Sequence, residues 1–311
     1  MRTPKYIKYS NKVYDYIFKP FDKLLFPVVE KDALIKERQE QPVPLNKTPN
    51  VADIYNEEWG GVLRSIKSIF GMDQNSFHRK IWEFTHILYI LKTLGYLHPD
   101  NTGLTIGAGR EQILYFLAYK IRKIVGIDLY EGNYIGGEDE SDIPVNPEKY
   151  APFIYPGENL DLLKMDALDL KFEPESFDFV FSASSIEHFG SENNIRKSID
   201  EMYRVLKPGG LCVITTELKL NRLAKDIPNT KLFSMDELLG LFRDSGFILE
   251  GDDVDVKLED HYLINWVKLP QEVFKSPHVI LRFFRSIFTS VALVFRKEGD
   301  AVQTGPWKET E

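Results

Sequence analysis

The stretch that decides the fold reads Leu104-Thr105-Ile106-Gly107-Ala108-Gly109-Arg110-Glu111, an apolar run followed by Gly-x-Gly and a helical pattern. Nineteen residues after Gly109, a second apolar run ends in Asp128. A strand, a glycine turn, a helix and a second strand with a terminal carboxylate form a nucleoside-binding βαβ unit. The glycines let a ligand lie close to the backbone. Free N–H groups face the ligand, and the carboxylate binds its ribose hydroxyls.

The residues after the second glycine argue against a dinucleotide ligand. The dinucleotide fingerprint is Gly-x-Gly-x-x-Gly, and here Gln112 stands at the third glycine position. Glu111 places a carboxylate at the helix start, which suits the helix dipole but repels a phosphate. A carboxylate there favours a ligand with an ammonium group. S-adenosylmethionine has a ribose, an adenine and an ammonium but no phosphate.

Five segments in chain order resemble the class I S-adenosylmethionine-dependent methyltransferases, in particular their type 11-like members. Each segment alone is a weak signal, but their order and spacing over roughly residues 76–250 are specific. Thr105 and Glu111 depart from the pattern, since members often carry an acidic residue and a third glycine there. The segments are Gly107-Ala108-Gly109, Asp128, Met165-Asp166-Ala167, Phe177–Ser182 and Leu206–Leu211.

Alternating strands and helices predict an α/β fold with a doubly wound, mostly parallel sheet and a ligand at the carboxyl ends of its strands. The resemblance implies a Rossmann-like, seven-stranded version with an antiparallel last strand near residues 290–295. Helices are predicted over 76–94 and 109–121, and a capping box at 234–237 opens another. Strands are predicted at 103–107, 123–128, 161–165, 178–183, 211–216 and from 247.

Composition divides the chain into three parts. Residues 1–75 are predicted to form an N-terminal extension, a helical wrapper with a proline-containing linker at 39–50. Residues 76–298 are predicted to form the S-adenosylmethionine-binding domain, and 299–311 a polar tail. Because residues 1–26 mix aromatic and basic side chains, weak peripheral contact with an anionic membrane is an alternative to packing on the main domain.

The resemblance implies a site for S-adenosyl-L-methionine at the carboxyl ends of the first strands. Asp128 is expected on the ribose hydroxyls with Leu129 beside it, and Asp166 and the Ala167 backbone on the adenine. Glu111 is expected near the cofactor ammonium, the alternative being a helix N-terminal charge only. The other cofactor-site residues are expected to contribute backbone: Gly107, Ala108, Gly109 and Ser182.

The fourth strand is followed by the segment Ser184-Ser185-Ile186-Glu187-His188-Phe189. In members of the family, the loop at this place contacts the methyl group and the acceptor. Methyl transfer is an in-line displacement, and an alcohol acceptor must lose its proton as it attacks. Histidine titrates near neutral pH, so His188 is the candidate base. Glu187 is expected to orient His188, contact the acceptor or cap the next helix. A purely structural histidine is the alternative.

The combination of Gly-x-Gly-x-Glu, Asp-Leu-Tyr and Ile-Glu-His-Phe resembles a branch of the family found beside sugar and polysaccharide genes. This resemblance predicts O-methylation of a hydroxyl on a sugar, glycan or glycolipid. Small-molecule N-, C- or carboxyl methylation is the alternative within the class. A nicotinamide-dependent oxidoreductase and a catalytically silent nucleoside-binding module are the alternatives outside it.

Two segments flank this expected site. The helix at 76–94 places Trp82, Glu83 and His86 as candidate pocket residues, with core packing favoured for Trp82. The unusually long segment 130–159 carries an acidic run and is interpreted as a solvated loop or as a lid over the ligand.

Composition narrows the class of protein further. A net charge of −8 argues against broad nucleic-acid binding. Cys212 is the only cysteine, which excludes an internal disulfide and fits a cytoplasmic location. No signal peptide is apparent. Arg282 and Arg285 interrupt the apolar region near the end of the chain, so no transmembrane helix is predicted there. The six histidines show no metal-ligand spacing, so no metal is predicted, His261 being the one distant candidate.

Overall fold

The computed structural model describes residues 24–73, 75–131, 140–251, 253–260, 267–268 and 277–299. The helices are α1 (Lys31–Glu40), α2 (Glu57–Ile69), α3 (Arg79–Thr93), α4 (Ile113–Ala118), α5 (Glu192–Val205) and α6 (Met235–Arg243). The strands are β1 (Val28–Val29), β2 (Thr102–Ile106), β3 (Lys123–Asp128), β4 (Leu160–Lys164), β5 (Phe177–Ala183), β6 (Leu206–Lys219), β7 (Phe247–Leu249), β8 (Leu258–Glu259), β9 (Val267–Lys268), β10 (Ile280–Phe283) and β11 (Ser286–Lys297). Within these ranges, no helix has the length and apolar character needed to cross a membrane.

The central sheet confirms the predicted doubly wound architecture. Its order is β4-β3-β2-β5-β6-β11-β10-β9, and β7 pairs with the C-terminal end of β11. The strands from β2 to β6 run parallel, whereas β11 is antiparallel to β6. Because the chain adds β3 and β4 on one side of β2 and β5 on the other, the order of strands reverses between β2 and β5. Ligands of such sheets bind at this reversal.

The largest differences from the predicted boundaries lie in α4, β6 and β11. Helix α4 begins at Ile113 rather than at residue 109, because Gly107 and Gly109 have positive φ angles of 76° and 44° and turn the chain before a helix can start. The loop, rather than a helix terminus, therefore faces the ligand side. Strand β6 begins at Leu206, directly after α5. Strand β11 is long enough to pair with both β10 and β7, and β9 and β10 extend the predicted seven strands.

The proline-containing stretch before α2 is a meandering loop whose residues 43–50 are buried or half-buried, whereas Gln41 and Pro42 are exposed. Lys47 exchanges two backbone hydrogen bonds with Ala292 of β11, at 3.0 and 2.9 Å. Its ammonium lies 2.6 Å from the carboxylate of Asp53, which Arg38 also contacts at 3.0 Å. The side chains of Lys47 and Asp53 are fully buried. This segment therefore packs on the same sheet that positions the site.

Candidate active site

The loops after β2 and β5 meet at the point where the strand order reverses. The hydroxyl of Ser185 donates a hydrogen bond to the carbonyl of Gly107 at 3.1 Å. A Cβ atom at Gly107 would overlap the Ser185 side chain, and the positive φ of Gly107 independently favours glycine. Glycine at this position therefore lets the two loops touch. A Cβ atom at Gly109 would meet no atom within 4 Å, so the backbone there is open to a ligand.

A cavity of about 730 Å³ lies over these loops. Most of the predicted site residues line it, namely Gly107, Gly109, Glu111, Asp128, Leu129, Asp166, Ala167 and His188. Ala108, Ser182 and Glu187 are not among the lining residues. Both Ala108 and Ser182 are fully buried, so their expected backbone contribution is indirect.

Asp128 is placed at the end of β3 and bonded to the glycine loop. One carboxylate oxygen accepts the Gly109 N–H at 3.0 Å, and the other accepts the Tyr130 N–H at 3.3 Å. These bonds hold the carboxylate at the cavity wall. On the neighbouring loop after β4, Asp166 accepts the Leu168 N–H at 2.9 Å and also faces the cavity.

Glu111 is a buried carboxylate with one oxygen left over. It is 8% exposed, its Oε1 lies 3.3 Å from the Lys80 ammonium, and its Oε2 has no hydrogen-bond partner within the described residues. Burial raises the pKa of Glu111 to about 7, although Lys80 opposes the shift. A buried oxygen of this kind is suited to an ammonium group in the ligand.

Lys80 itself comes from α3 and lies next to Glu111 in the cavity wall. Its ammonium donates to the carbonyl of Ala183 at 2.6 Å and lies 3.3 Å from Glu83. Sequence reasoning chose Trp82, Glu83 and His86 of this helix, but none of them lines the cavity. Lys80 and Phe84 do line it, and their spacing of four residues, which puts them on one helix face, was the available signal.

The turn after β5 separates the two predicted catalytic residues. His188 is exposed and lines the cavity, and its Nδ1 lies 2.6 Å from the carbonyl oxygen of Asn229. Glu187 is 2% exposed, and its Oε2 accepts a hydrogen bond from the Thr216 hydroxyl at 2.8 Å. The carboxylate of Glu187 therefore points under the cavity floor, where it neither meets the His188 ring nor reaches an acceptor.

Below that floor, Glu187 belongs to a buried cluster of charged side chains. Arg79 lies 2.6 Å from Glu217 and 3.0 Å from Glu83. The Ser184 hydroxyl, which lines the cavity, donates to Glu83 at 2.8 Å. Burial raises the pKa of Glu187 and of Glu217 above the ordinary glutamate range, with their mutual repulsion adding to the shift of Glu217. The cluster anchors α3 to the strand ends beneath the site.

Other predicted features lie elsewhere. Trp82 is fully buried and donates to Asp53 at 2.7 Å, and His86 accepts from the Trp59 indole at 3.1 Å. His261 lies outside the described residues, as does 132–139 of the long acidic segment. Among the residues that the structure does describe, no group of three or more His, Cys, Asp or Glu side chains is arranged to hold a metal ion.

Comparison with known proteins relates part of the chain to methyltransferases. Residues 104–214 match the family model described as a methyltransferase domain. A curated tRNA (carboxymethyluridine(34)-5-O)-methyltransferase from Arabidopsis thaliana is 38% identical over 55 residues, which cover 18% of this chain and 14% of that enzyme. The chain thus matches only a small part of that relative's length.

Solved structures share the fold at low identity. The 4+2 cyclase SpnF is 16% identical, with a TM-score of 0.50 over 83% of this chain and 99% of its own. A Burkholderia thailandensis 1,6-didemethyltoxoflavin-N1-methyltransferase, solved with S-adenosylhomocysteine, is 14% identical, with a TM-score of 0.45 over 78% of this chain and 89% of its own. Since a cyclase has this fold, the fold alone does not fix the reaction.

The matched family model, the sheet and the glycine-loop site agree on the class. Residues 104–214 match a methyltransferase domain, and S-adenosyl-L-methionine is the cofactor. The predictions of the Rossmann-like fold and of the cofactor are therefore confirmed, and the match to a methyltransferase domain agrees with the predicted class.

Proposed function

We propose that this protein transfers a methyl group from S-adenosylmethionine to a hydroxyl of a sugar, glycan or glycolipid, with His188 as general base. The observation that carries the proposal is the His188 ring at the cavity wall, held through Nδ1 by a carbonyl oxygen at 2.6 Å. The choice of a sugar-type acceptor rests on the resemblance of Asp128-Leu129-Tyr130 and Ile186–Phe189 to a sugar-associated branch.

The charge of the cavity supports a cationic cofactor over a dinucleotide. Five carboxylates line it against two basic side chains. S-adenosylmethionine has a sulfonium and an ammonium, which this lining attracts, whereas the two phosphates of a nicotinamide dinucleotide would be repelled. The carboxylates are Glu111, Asp128, Glu131, Glu140 and Asp166, and the basic side chains are Lys80 and Arg110.

Three parts of the cofactor, its ribose, adenine and ammonium, have a candidate partner in the cavity. Asp128 would accept the ribose hydroxyls, Asp166 and Ala167 would meet the adenine, and Glu111 would accept the ammonium through its unpartnered oxygen. When bound, the cofactor supplies a methyl group on a positively charged sulfur. The open backbone at Gly109 leaves room for the ligand to approach.

The residues of the chain would then prepare the acceptor. Because Nδ1 of His188 faces a carbonyl, which only accepts, this nitrogen carries the proton and Nε2 retains its lone pair. That lone pair can take the proton of an acceptor hydroxyl as the oxygen attacks in line. Glu187, bonded to Thr216 beneath the floor, would act by holding the loop that carries His188.

Replacing His188 with alanine is expected to lower methyl transfer to a hydroxyl acceptor by about 100-fold or more, since a general base contributes about 10² to 10⁴. Glu187→Gln keeps the side chain's size and its bond to Thr216, so its rate is expected to stay within about tenfold of wild type. The measurement is S-adenosylhomocysteine formation with a panel of nucleotide sugars and lipid-linked glycans.

The matched control is His98→Ala, because the side chain of His98 is 60% exposed and does not line the cavity. Its rate should equal that of wild type. An unchanged rate in His188→Ala would show that His188 is not the general base. It would favour an amine or carboxylate acceptor, which attacks without a base. Cofactor binding without turnover on any acceptor of the panel would favour the catalytically silent module.

The proposed contact between Glu111 and the cofactor ammonium makes binding depend on pH. With a pKa of about 7, Glu111 of the free protein is largely protonated at pH 6. An ammonium ligand favours the ionised carboxylate, so binding releases a proton and affinity rises with pH. We expect the Kd for S-adenosylmethionine to fall by about fivefold from pH 6 to pH 7.5, as measured by calorimetry.

Glu111→Gln is the control for this pH dependence. The amide keeps the shape of the side chain but does not ionise, so its Kd should be weaker at pH 7.5 and flat across the range. Above this range the α-amino group of the cofactor, with an ordinary pKa of about 8, loses its own charge. If the Kd of wild type and the Kd of Glu111→Gln depend on pH to the same extent, Glu111 is excluded as the ammonium partner.

A further inference from the structure

The His188 ring is held by a tight turn in the segment between β6 and α6. In this turn the Thr230 N–H donates to the carbonyl of Ile227 at 3.0 Å, and Ile227 N–H donates back to Thr230 at 3.1 Å. Pro228 occupies the second position, and Asn229 follows it with a φ of +60°. Proline followed by a residue of positive φ defines a type II turn, in which the third position takes glycine or asparagine.

The same turn is attached to the loop after β5 at two places. The carbonyl of Asn229 lies 2.6 Å from Nδ1 of His188, and the N–H of Lys231 donates to the carbonyl of Glu187 at 3.0 Å. The positive φ of Asn229 orients the peptide group that meets the ring. The turn therefore sets the rotation of the His188 imidazole as well as the nitrogen that carries its proton.

We infer that Asn229 is a positioning residue whose backbone carbonyl fixes His188 in the tautomer with a basic Nε2. The inference rests on the proposed role of His188 as base and names a residue that acts through it. Asn229 is exposed and its side chain is not required, because the contact is made by its main chain. What the position requires is a residue that tolerates positive φ.

Two substitutions separate the backbone from the side chain. Asn229→Gly removes the side chain but keeps positive φ, and so keeps the carbonyl on Nδ1. Asn229→Val is β-branched and is strained at positive φ, so the turn re-forms with a different φ and turns the carbonyl away. Both changes lie at an exposed turn, where the effect on overall stability is small.

The test is ¹⁵N NMR of the imidazole nitrogens in the full-length protein, with the His188 signals assigned by comparison with His188→Gln. In wild type and Asn229→Gly we expect the Nδ1–H tautomer of neutral His188. In Asn229→Val we expect a mixture in which the Nε2–H tautomer is prominent. With a hydroxyl acceptor in hand, Asn229→Val should also lower the rate by about tenfold while the glycine variant keeps it.

Wild-type His188 in the Nε2–H form, or an unchanged tautomer in Asn229→Val, would overturn the inference. A shifted tautomer in Asn229→Gly would equally overturn it, since the side chain would then be responsible. The NMR result needs neither cofactor nor acceptor. A failure of His188 as a base would appear only in the turnover of His188→Ala, so the two failures are distinguishable.

Discussion

Replacing Asp128 with alanine is expected to weaken S-adenosylmethionine binding by about 100-fold or more. A hydrogen bond to a charged group contributes about 1.5 to 3 kcal/mol, and a ribose offers two hydroxyls to this carboxylate. The same substitution leaves the N–H groups of Gly109 and Tyr130 without the acceptor that now orders the loop. Calorimetric titration with S-adenosylmethionine and S-adenosylhomocysteine measures the loss directly.

A second substitution of Asp128 and a control at another carboxylate test the role of Asp128. Asp128→Asn keeps the size of the side chain and one acceptor oxygen, so it should bind more weakly than wild type but more tightly than the alanine variant. Asp161→Ala removes a surface carboxylate paired with Lys123 on the adjacent strand, and its affinity should not change. Binding by Asp128→Ala within threefold of wild type would show that the ribose is held elsewhere.

The elements around Asp128 were readable from the sequence because they are local. Strand β3 has the predicted bounds, and β2, β4 and β5 differ from prediction by one residue at their ends. The runs of β2, β3 and β5 are buried on both faces, as inner parallel strands require, whereas β4 at the edge of the sheet has exposed residues on one face. Gly107 and Gly109 signalled a turn correctly, but the helix predicted over 109–121 is shorter at both ends, Ile113–Ala118.

The parts that sequence reasoning missed depend on contacts between distant segments. Lys80 reaches the site from a helix that precedes β2, and Asn229 reaches His188 from 41 residues further along the chain. The Pro228-Asn229 pair is typical of a type II turn, a signal that was not used, and no local pattern indicates what the turn contacts. Adjacent residues also diverge: Glu187 points inward and His188 outward from the same short turn.

Replacing Asp53 with alanine is expected to lower the free energy of unfolding by about 3 to 5 kcal/mol, because it leaves the buried ammonium of Lys47 without its carboxylate partner and removes one of the three carboxylates around Arg38. Asp53 is fully buried between Lys47 at 2.6 Å and Arg38 at 3.0 Å, and it also accepts from the Trp82 indole at 2.7 Å. Chemical denaturation measures the change, and a fall in Tm of about 10 °C should accompany it.

Acid should reproduce part of this loss in the wild-type protein. Burial alone would raise the pKa of Asp53, but Lys47 and Arg38 outweigh it and hold the pKa below the ordinary value. A carboxyl with a depressed folded-state pKa contributes stability that is present above its unfolded pKa, near 4, and is lost as pH falls below that value. Asp53→Ala should therefore lose less stability on acidification than wild type does.

Asp100→Ala is the matched control, since the side chain of Asp100 is 90% exposed and its removal should cost less than about 0.5 kcal/mol. A cost below about 1 kcal/mol in Asp53→Ala would mean that the segment before α2 contributes little to the stability of the sheet. If Asp53→Ala loses about 3 to 5 kcal/mol of unfolding free energy and still unfolds in one cooperative transition, this segment unfolds together with the sheet. Trp82 lies on the helix that also carries Lys80, so the buried Asp53 would then support the cavity wall as well as the core.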